Sequence, residues 1–214
     1  MKLDIEAGPE YRQAFEKYTN GEGIPSISFV SSEGGVINKP RAGAAALFDV
    51  EQFVGLMEDT IKQEEAFQQL KAGLKKTPDH PKMNAQLAII YLEWAMLEKA
   101  QPFVDKALKL DPKNETGLLP ELYLNLGVYY GNRAGDENDP VLQKAQGYFN
   151  KVIEKYSDSK SYHPACYYLA VTYTIQKEYR MAIDLLNKAA ESKDPDTKAQ
   201  AKRLLETVNT LIHQ

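Results

Sequence analysis

Few residues in this chain have the types and spacing that chemistry requires. Its three histidines, His80, His163 and His213, are far apart, and each is predicted to lie in a loop or near an end of the sequence. A metal site would need these side chains to converge with carboxylates, and no spacing predicts that convergence. The single cysteine, Cys166, falls at an apolar helical position, which favours a small core side chain over a reactive thiol.

The loop 131–139 concentrates acidic side chains and is the other candidate for ion binding. Asp136, Glu137 and Asp139 lack the register that a calcium-binding loop requires, so we predict a solvated loop. No serine–histidine–aspartate arrangement and no carboxylate pair has a spacing that indicates catalysis. The sequence therefore predicts a protein without enzymatic activity, bound cofactor or metal.

Composition places the chain among soluble globular proteins. It has 214 residues, 43% of them hydrophobic, and a formal net charge of −4 at pH 7. Lysine and arginine are scattered rather than gathered in a basic stripe, so we predict no nucleic-acid partner. The sequence shows no apolar run long enough to span a membrane and no secretory leader. The default localisation is therefore cytoplasmic, with no membrane partner.

A helix–turn–helix pattern of small and large apolar residues recurs along the second part of the chain. In each copy a small residue lies three positions before a tyrosine, and small residues return in a second helix. Two helices can approach closely only where small side chains meet, while large residues fill the space toward the next copy. The three copies carry this pattern at Leu87, Ala88, Tyr91, Ala100, Val104, Ala107 and Pro112, at Tyr123, Leu126, Gly127, Tyr130, Ala145, Phe149 and Val152, and at Leu169, Ala170, Tyr173, Ala182, Leu186 and Ala189.

This order resembles the tetratricopeptide repeat (TPR), and Leu126-Gly127-x-x-Tyr130 is the closest local match. The resemblance implies a mainly α fold, a TPR-type α-solenoid of three repeats plus a capping helix, with Gly127 close to the helix that carries Ala145. One helical pair cannot bury its own apolar face, which is why stacked copies are expected. The expected repeats lie near 81–114, 120–157 and 163–195, and the capping helix at 196–212 has its apolar residues at Ala199, Leu204, Leu205, Val208 and Leu211.

The first part of the chain has a different pattern, because alternating apolar residues come before the helical spacing. We predict a strand at 2–5, a helix ending near residue 18, a hairpin around Gly34-Gly35, and a helix capped by Asp49. We place a domain boundary between residues 62 and 63, which leaves 63–214 as the repeat domain. One continuous helix over residues 50–76 is the alternative.

Residues 1–62 resemble the C-terminal half of a thioredoxin. The likeness rests on the segment KLDIEAGPE, on the FVSSEGGVI hairpin, and on Ile24-Pro25-Ser26 where the family has Ile-Pro-Thr. It implies a small α/β, partial thioredoxin-like segment with a cis peptide bond at Pro25. The redox half with its Cys-x-x-Cys is not in the sequence, and Cys166 cannot replace it.

The TPR resemblance also implies a peptide-binding groove, because the first helices of stacked repeats line a concave face. Apolar residues at these positions favour an apolar or amphipathic peptide over an acidic tail, with Ile89 and Val128 at the centre. Coverage by the chain's own N-terminal part, or by a second copy, is the alternative. The predicted groove residues are Lys82, Ala85, Ile89, Leu92, Glu93, Glu121, Leu124, Asn125, Val128, Tyr167 and Val171.

Together these features predict a non-enzymatic protein–protein interaction module or scaffold. The expected partners are other proteins or peptides, and a second copy joined through the incomplete N-terminal sheet is a further candidate. The combination of thioredoxin-like and TPR parts resembles bacterial co-chaperones, which implies a role in folding or assembly. The alternatives are a thioredoxin-like redox protein whose Cys-x-x-Cys half lies upstream of Met1, and a structural subunit of a larger assembly.

Overall fold

The computed structural model describes Gln13 and residues 27–38 and 49–212. The chain divides into two units, Met1–Pro78 and Asp79–Gln214. The predicted strand at 2–5, the predicted helix ending near residue 18 and the cis bond at Pro25 lie outside the described residues. The thioredoxin resemblance therefore stays a prediction.

The predicted hairpin forms in the first unit. Strand β1 (Phe29–Val30) pairs with strand β2 (Val36–Asn38) in antiparallel orientation. The Ser31 amide donates to the Gly35 carbonyl at 2.8 Å, and the Gly35 amide donates back to the Ser31 hydroxyl at 2.9 Å. Gly34 has a φ of 80°, which a residue without a Cβ adopts readily. The turn therefore forms at the glycines from which the hairpin was predicted.

Helix α1 (Val50–Lys76) is uninterrupted over its 27 residues. Asp49 caps it as predicted, because its carboxylate accepts a hydrogen bond of 3.0 Å from an amide in the first turn. The helix passes through the predicted boundary at residues 62 and 63, so the continuous-helix alternative is confirmed. The division between the two units falls instead after Pro78.

One face of α1 packs against the hairpin. The rings of Phe29 and Phe53 lie 5.9 Å apart between centroids. The Ser32 hydroxyl donates to a Glu64 oxygen at 2.6 Å and accepts from the Gln68 amide group at 2.8 Å. Burial raises the pKa of Glu64, but hydrogen bonds from Ser32 and Gln68 outweigh it and lower the net pKa. Apolar and polar contacts thus both hold the hairpin on the helix.

Seven helices follow in the described part of the second unit. They are α2 (Pro81–Glu93), α3 (Leu97–Leu110), α4 (Leu119–Gly131), α5 (Pro140–Lys155), α6 (Tyr162–Ile175), α7 (Tyr179–Ala189) and α8 (Pro195–Ile212). The first six pack as three pairs, α2 with α3, α4 with α5, and α6 with α7, and α8 packs against α6 and α7. The three pairs are stacked on one another, as the contacts of α4 with both α2 and α6 show. The predicted three helical pairs and final helix are therefore confirmed.

Prolines and capping carboxylates set where several of these helices begin. Pro81 and Pro140 lie in the first turns of α2 and α5, where a missing amide proton costs no helical hydrogen bond. Asp139 caps α5 by accepting from a first-turn amide at 2.8 Å. Asp194, the predicted cap of α8, accepts from the Thr197 amide at 2.8 Å.

The turns inside the first and third pairs share one backbone geometry. Ala95 and Lys177 both have positive φ, 59° and 63° respectively. In each turn the following amide donates to a tyrosine carbonyl, that of Tyr91 or of Tyr173, at 2.8 Å. The two pairs therefore repeat each other in their turns as well as in their helices.

Buried apolar residues fill the contacts between stacked pairs. One cluster joins α5 to α6 and includes Phe149, Val152 and Leu169. A second cluster joins α6, α7 and α8, with Leu186 and Val208 among its members. The second pair thus covers an apolar face of the third pair, and α8 covers another, as stacked repeats require.

The apolar side of α8 differs in part from the prediction. Val208 is buried as expected, but Ala201 is buried where Ala199 was predicted. Ala199 and Leu211 are exposed. Ala201 follows Ala199 by two positions, which is a rotation of more than half a turn, so the way α8 packs on α6 and α7 decides which of them is covered.

Gly127 of α4 lies directly against Phe149 of α5. It is buried, and a Cβ built on it would lie 2.4 Å from Cε1 of Phe149. The Phe149 ring stacks in turn on Tyr168 of α6, with centroids 5.9 Å apart. The missing side chain therefore allows the two helices of the second pair to pack this closely.

Candidate functional site

The first helices of the three pairs lie side by side in the second unit, since α4 contacts both α2 and α6. The predicted groove residues all belong to these helices, and their role in binding stays a prediction. We call them the inner face, namely Lys82, Ala85, Ile89, Leu92 and Glu93 on α2, Glu121, Leu124, Asn125 and Val128 on α4, and Tyr167 and Val171 on α6.

The apolar members of the inner face on α2 are buried. Ala85, Ile89 and Leu92 are 1%, 6% and 4% exposed. Lys82 and Glu93, near the two ends of the same helix, are exposed. The repeat pattern shows which positions are apolar but not how closely the neighbouring helices cover them. Ile89 is therefore not the open centre that the sequence suggested.

The apolar members on α4 and α6 are half-buried. Leu124 and Val128 pack against the cluster that contains Phe149. Tyr167 packs against the cluster that joins α6 to α7 and α8. These side chains contribute to the core and still reach the surface. The accessible part of the inner face therefore consists of half-buried apolar side chains on α4 and α6 and of exposed charged side chains on α2.

Glu93 and Glu121 bring two carboxylates to neighbouring helices of the inner face. Removal from water raises the pKa of Glu93, and the negative charge of Glu121 raises it further. Both residues remain exposed overall, so water screens part of their repulsion. Two like charges at one place favour a cation beside them, and this edge of the inner face therefore suits a lysine or arginine side chain.

Four tyrosines stack where α4 meets α5. Tyr123 stacks on Tyr148 and on Tyr156, with centroid distances of 6.2 and 6.3 Å. Tyr148 also stacks on Tyr130 at 5.8 Å. Aromatic pairs at such distances stabilise a structure beyond the area that they bury. This tyrosine stack holds the helix that carries the middle of the inner face.

Two lysines lie over the tyrosine stack. Lys144 Nζ is 4.0 Å from the centroid of Tyr130 and 2.8 Å from its hydroxyl, and this hydrogen bond raises the pKa of Lys144. Lys151 Nζ lies 5.2 Å from the centroid of Tyr123 and 5.1 Å from that of Tyr148. This cluster was not predicted from the sequence. Its signal was the pair of tyrosines seven residues apart in α4, matched by a pair eight residues apart at α5.

Cys166 is a core side chain, as predicted. It is fully buried in the cluster that joins α6 to α7 and α8. Burial raises the pKa of its thiol to about 11. The thiol is therefore protonated at neutral pH, and only the thiolate is a strong nucleophile.

The two described histidines contact groups at the starts of helices. His80 caps α2, with its Nδ1 accepting from the Met83 amide at 3.4 Å. The ring of His163 contacts that of Tyr162 edge to face at 5.1 Å. His213 lies outside the described residues. Within residues 27–38 and 49–212, no cluster of three or more histidine, cysteine or acidic side chains could hold a metal ion.

The carboxylates of the acidic loop before α5 accept hydrogen bonds from its own backbone. Asp139 accepts from the amides of Gly135 and Val141, each at 2.8 Å, and Asp136 accepts from the Asn138 amide at 2.8 Å. The bonds from Gly135 and Val141 lower the pKa of Asp139. Because these oxygens face amides, the loop is not arranged as a calcium site.

A surface depression lies between this loop and the turn from α6 to α7. Several of its polar groups already have partners: Glu137 pairs with Lys177 Nζ at 2.7 Å, Gln176 accepts from Gln146 at 2.7 Å, and the Gln176 side chain donates to the Glu137 carbonyl at 3.3 Å. None of the inner-face residues lines it. The lining residues are Glu137, Asn138, Tyr173, Gln176, Glu178 and Met181.

Stacked helical pairs, closed by a final helix, give the second unit the architecture of a helical-repeat protein. Residues 81–114, which contain α2 and α3, match the family model for the tetratricopeptide repeat. No curated protein and no solved structure matches the chain. Tetratricopeptide repeats generally mediate protein–protein interaction. In the part of the chain that the structure describes, no helix is both long enough and apolar enough to cross a membrane.

Proposed function

We propose that the chain is a non-enzymatic protein-interaction module that binds an amphipathic peptide on the inner face. The observation that supports this best is the effect of the Glu121 charge on Glu93, together with half-buried Leu124 and Val128, which follow Glu121 by three and seven residues and so lie on the same side of α4. The acidic pair would receive a basic side chain of the peptide, and the apolar residues would receive its apolar side. The similarity of residues 81–114 to a tetratricopeptide repeat supports a protein as the partner.

The proposed contact is centred on α4 rather than on Ile89. Ile89 is 6% exposed, whereas Val128 and Leu124 keep part of their surface. An acidic peptide tail is disfavoured because Glu93 and Glu121 would repel it. The preferred ligand is therefore amphipathic and basic.

A role in folding or assembly is the more specific form of this proposal. It depends on the thioredoxin resemblance, part of which lies outside the described residues. A redox protein with its Cys-x-x-Cys upstream of Met1, a structural subunit and self-association through the N-terminal sheet remain the alternatives.

Charge reversal on the full chain tests the proposal. The probes are two synthetic amphipathic peptides with the same leucines, one carrying lysines and one carrying glutamates on its polar side. Wild type should bind the lysine peptide at least about tenfold more tightly than the glutamate peptide. The Glu93→Lys/Glu121→Lys variant should lose or reverse that preference in fluorescence anisotropy.

The matched control places the same charge change on second helices. Glu154 in α5 and Asp184 in α7 are both exposed, and Glu154→Lys/Asp184→Lys should keep the wild-type preference. Circular dichroism of each variant checks that the helices are intact. An unchanged preference in folded Glu93→Lys/Glu121→Lys would overturn the proposal.

The pH dependence of binding provides a second test. The pKa of Glu93 is raised by its partial removal from water and then by Glu121. A bound cation requires the ionised carboxylate, so affinity for the lysine peptide should fall as pH drops through this raised pKa. Glu93→Gln should bind more weakly at neutral pH and lose that part of the pH dependence. An identical pH profile in wild type and Glu93→Gln would argue against a basic side chain at Glu93.

A further inference from the structure

Helix α1 has a stripe of exposed apolar residues. Val50, Val54, Met57 and Ile61 are 79%, 45%, 40% and 55% exposed. Steps of four, three and four residues separate them, which aligns their side chains along one side of the helix. Single exposed apolar residues are ordinary, but an aligned set is typical of an interaction surface. We call these four residues the α1 stripe.

The hairpin covers a different face of the same helix. Phe53 contacts Phe29 of β1, and Thr60, seven residues farther along α1, is buried. Each member of that face comes just before a member of the α1 stripe in the sequence. One residue turns a helix by about 100°, so the stripe lies beside the hairpin rather than beneath it.

The spacing of the α1 stripe is that of a coiled-coil seam. Its alternating steps place Val54 and Ile61 at one heptad position and Val50 and Met57 at the other. β-branched residues at the first of these positions favour pairing with one other helix. The shape of the stripe therefore indicates a helix as its occupant.

An acidic rim borders the α1 stripe on the side away from the hairpin. Glu51, Glu58 and Glu65 recur every seven residues next to the stripe, and all three are exposed. In a two-helix seam, the charges at these flanking positions select the partner and its orientation. Lysine and arginine side chains on the occupant would complement this rim.

A second copy of the chain fits the rim poorly. Antiparallel pairing of two α1 helices would bring the two acidic rims together, and like charges across a seam are destabilising. Parallel pairing would set each rim against Phe53 and Thr60, which carry no charge. An anionic membrane surface would also be repelled by the rim.

We propose that the α1 stripe binds a basic amphipathic helix of a partner protein. The apolar side of that helix would pack on Val54, Met57 and Ile61, and its basic flank would meet Glu51 and Glu58. The stripe is about 18 Å long at a rise of about 1.5 Å per residue. A contact of that length is small, which suits a reversible interaction. This surface belongs to the first unit and does not depend on the inner face.

Two synthetic helical peptides test the docking surface on the full chain. Both carry leucines at the seam positions, one with lysines and the other with glutamates at the flanking positions. Wild type should bind the lysine peptide about tenfold more tightly in fluorescence anisotropy. In a Glu93→Lys/Glu121→Lys background, whose inner face repels the lysine peptide, adding Glu51→Lys/Glu58→Lys/Glu65→Lys should weaken binding of the lysine peptide at least about tenfold. Glu93→Lys/Glu121→Lys separates the two surfaces, because it alters binding only at the inner face.

A second variant tests the apolar part of the surface. In the Glu93→Lys/Glu121→Lys background, adding Val54→Glu/Met57→Glu should lower affinity for the lysine peptide at least about tenfold, because charges would replace the apolar contact. Gln63→Glu is the matched control, since it adds a charge at an exposed position of α1 off the stripe. In that background it should leave affinity for the lysine peptide unchanged. Circular dichroism checks that all variants keep their helical content.

Several outcomes would overturn this proposal. One is equal binding of the two peptides, and another is unchanged binding in folded Val54→Glu/Met57→Glu. A wild-type dimer in light scattering that Val54→Glu/Met57→Glu converts to a monomer would show that a second copy is the occupant. A wild-type monomer that binds neither peptide would indicate that a segment of this chain covers the stripe.

Discussion

Helices α1 and α7 use the same kind of apolar periodicity with opposite results. In α7, Ala182, Leu186 and Ala189 are fully buried between α6 and α8. In the first half of α1, residues at similar spacing form the exposed α1 stripe. A periodic pattern therefore defines which face of a helix is apolar, while the neighbouring elements decide whether that face becomes core or docking surface.

The largest contrast should come from truncating one apolar residue in each helix. Leu186→Ala should destabilise the chain by about 2–5 kcal/mol, because it leaves a cavity in a closed cluster. Ile61→Ala should change stability by no more than about 0.5 kcal/mol, since Ile61 is 55% exposed. Chemical denaturation of both variants measures the difference. Similar losses at the two sites would show that the α1 stripe is core.

Two glycines provide the next test of close packing inside the pairs. Gly127→Leu should cost about 1–3 kcal/mol or more, because even a Cβ at this position overlaps the Phe149 ring. Gly147 lies on α5, where an added Cβ would meet nothing within 4 Å. Gly147→Leu should therefore leave stability equal or higher, since glycine weakens a helix interior. Thermal melting compares them, and an unchanged melting temperature for Gly127→Leu would contradict the crossing described above.

Replacing a buried aspartate should lower the stability of the chain more than replacing an exposed one. Asp111, after α3, is 5% exposed and accepts hydrogen bonds from Thr116 and from the Glu115 amide. Asp111→Asn should cost about 1–3 kcal/mol at neutral pH. Asp59 on α1 is 67% exposed in its pair with Lys62, and Asp59→Asn should cost no more than about 0.5 kcal/mol.

The pH dependence of the Asp111 effect follows from its pKa. Burial raises the pKa of Asp111, but the hydrogen bonds from Thr116 and Glu115 lower it more, so the folded-state pKa lies below the unfolded one. The stabilisation is present above the unfolded pKa and is lost as pH falls through the folded pKa. Wild type and Asp111→Asn should therefore converge in stability in acid. If the difference in stability between wild type and Asp111→Asn stayed constant as the pH fell through the folded-state pKa, the ionised Asp111 carboxylate would not be the source of the stabilisation.

The smallest expected effects are at Ala95 and Lys177, the positive-φ residues in the turns inside the first and third pairs. Ala95→Gly and Lys177→Gly should each stabilise the chain by up to about 1 kcal/mol, because glycine adopts that backbone without the Cβ penalty. Ala134→Gly, in the differently built turn of the second pair, is the control and should not stabilise. Denaturation midpoints measure these shifts, and a loss of stability at Ala95 would show that the turn is not strained.

Much of the helical array could be predicted because its determinants are local. The alternation of small and large residues identifies α2 to α7, and Asp49, Asp194 and Pro195 mark helix starts through their own backbone and side-chain chemistry. The hairpin also follows from local turn chemistry at Gly34.

The candidate site could be predicted only in outline, because burial depends on neighbouring elements. The repeat phase places Ile89 and Val128 at equivalent positions, but Ile89 is buried and Val128 keeps part of its surface. The coupling of Glu93 to Glu121 joins residues far apart in sequence and arises only when α2 and α4 stack. The exposure of the α1 stripe likewise depends on where the hairpin lies.

Hydrogen exchange of the full chain with the lysine peptide tests most directly whether the inner face binds partners. Bound peptide should slow exchange in α4 and at the end of α2 near Glu93, because those helices carry the acidic pair and the half-buried apolar residues. Glu93→Lys/Glu121→Lys should abolish that protection and leave any protection of α1 unchanged. Binding of the peptide with no change in α2 or α4 would contradict the proposed function.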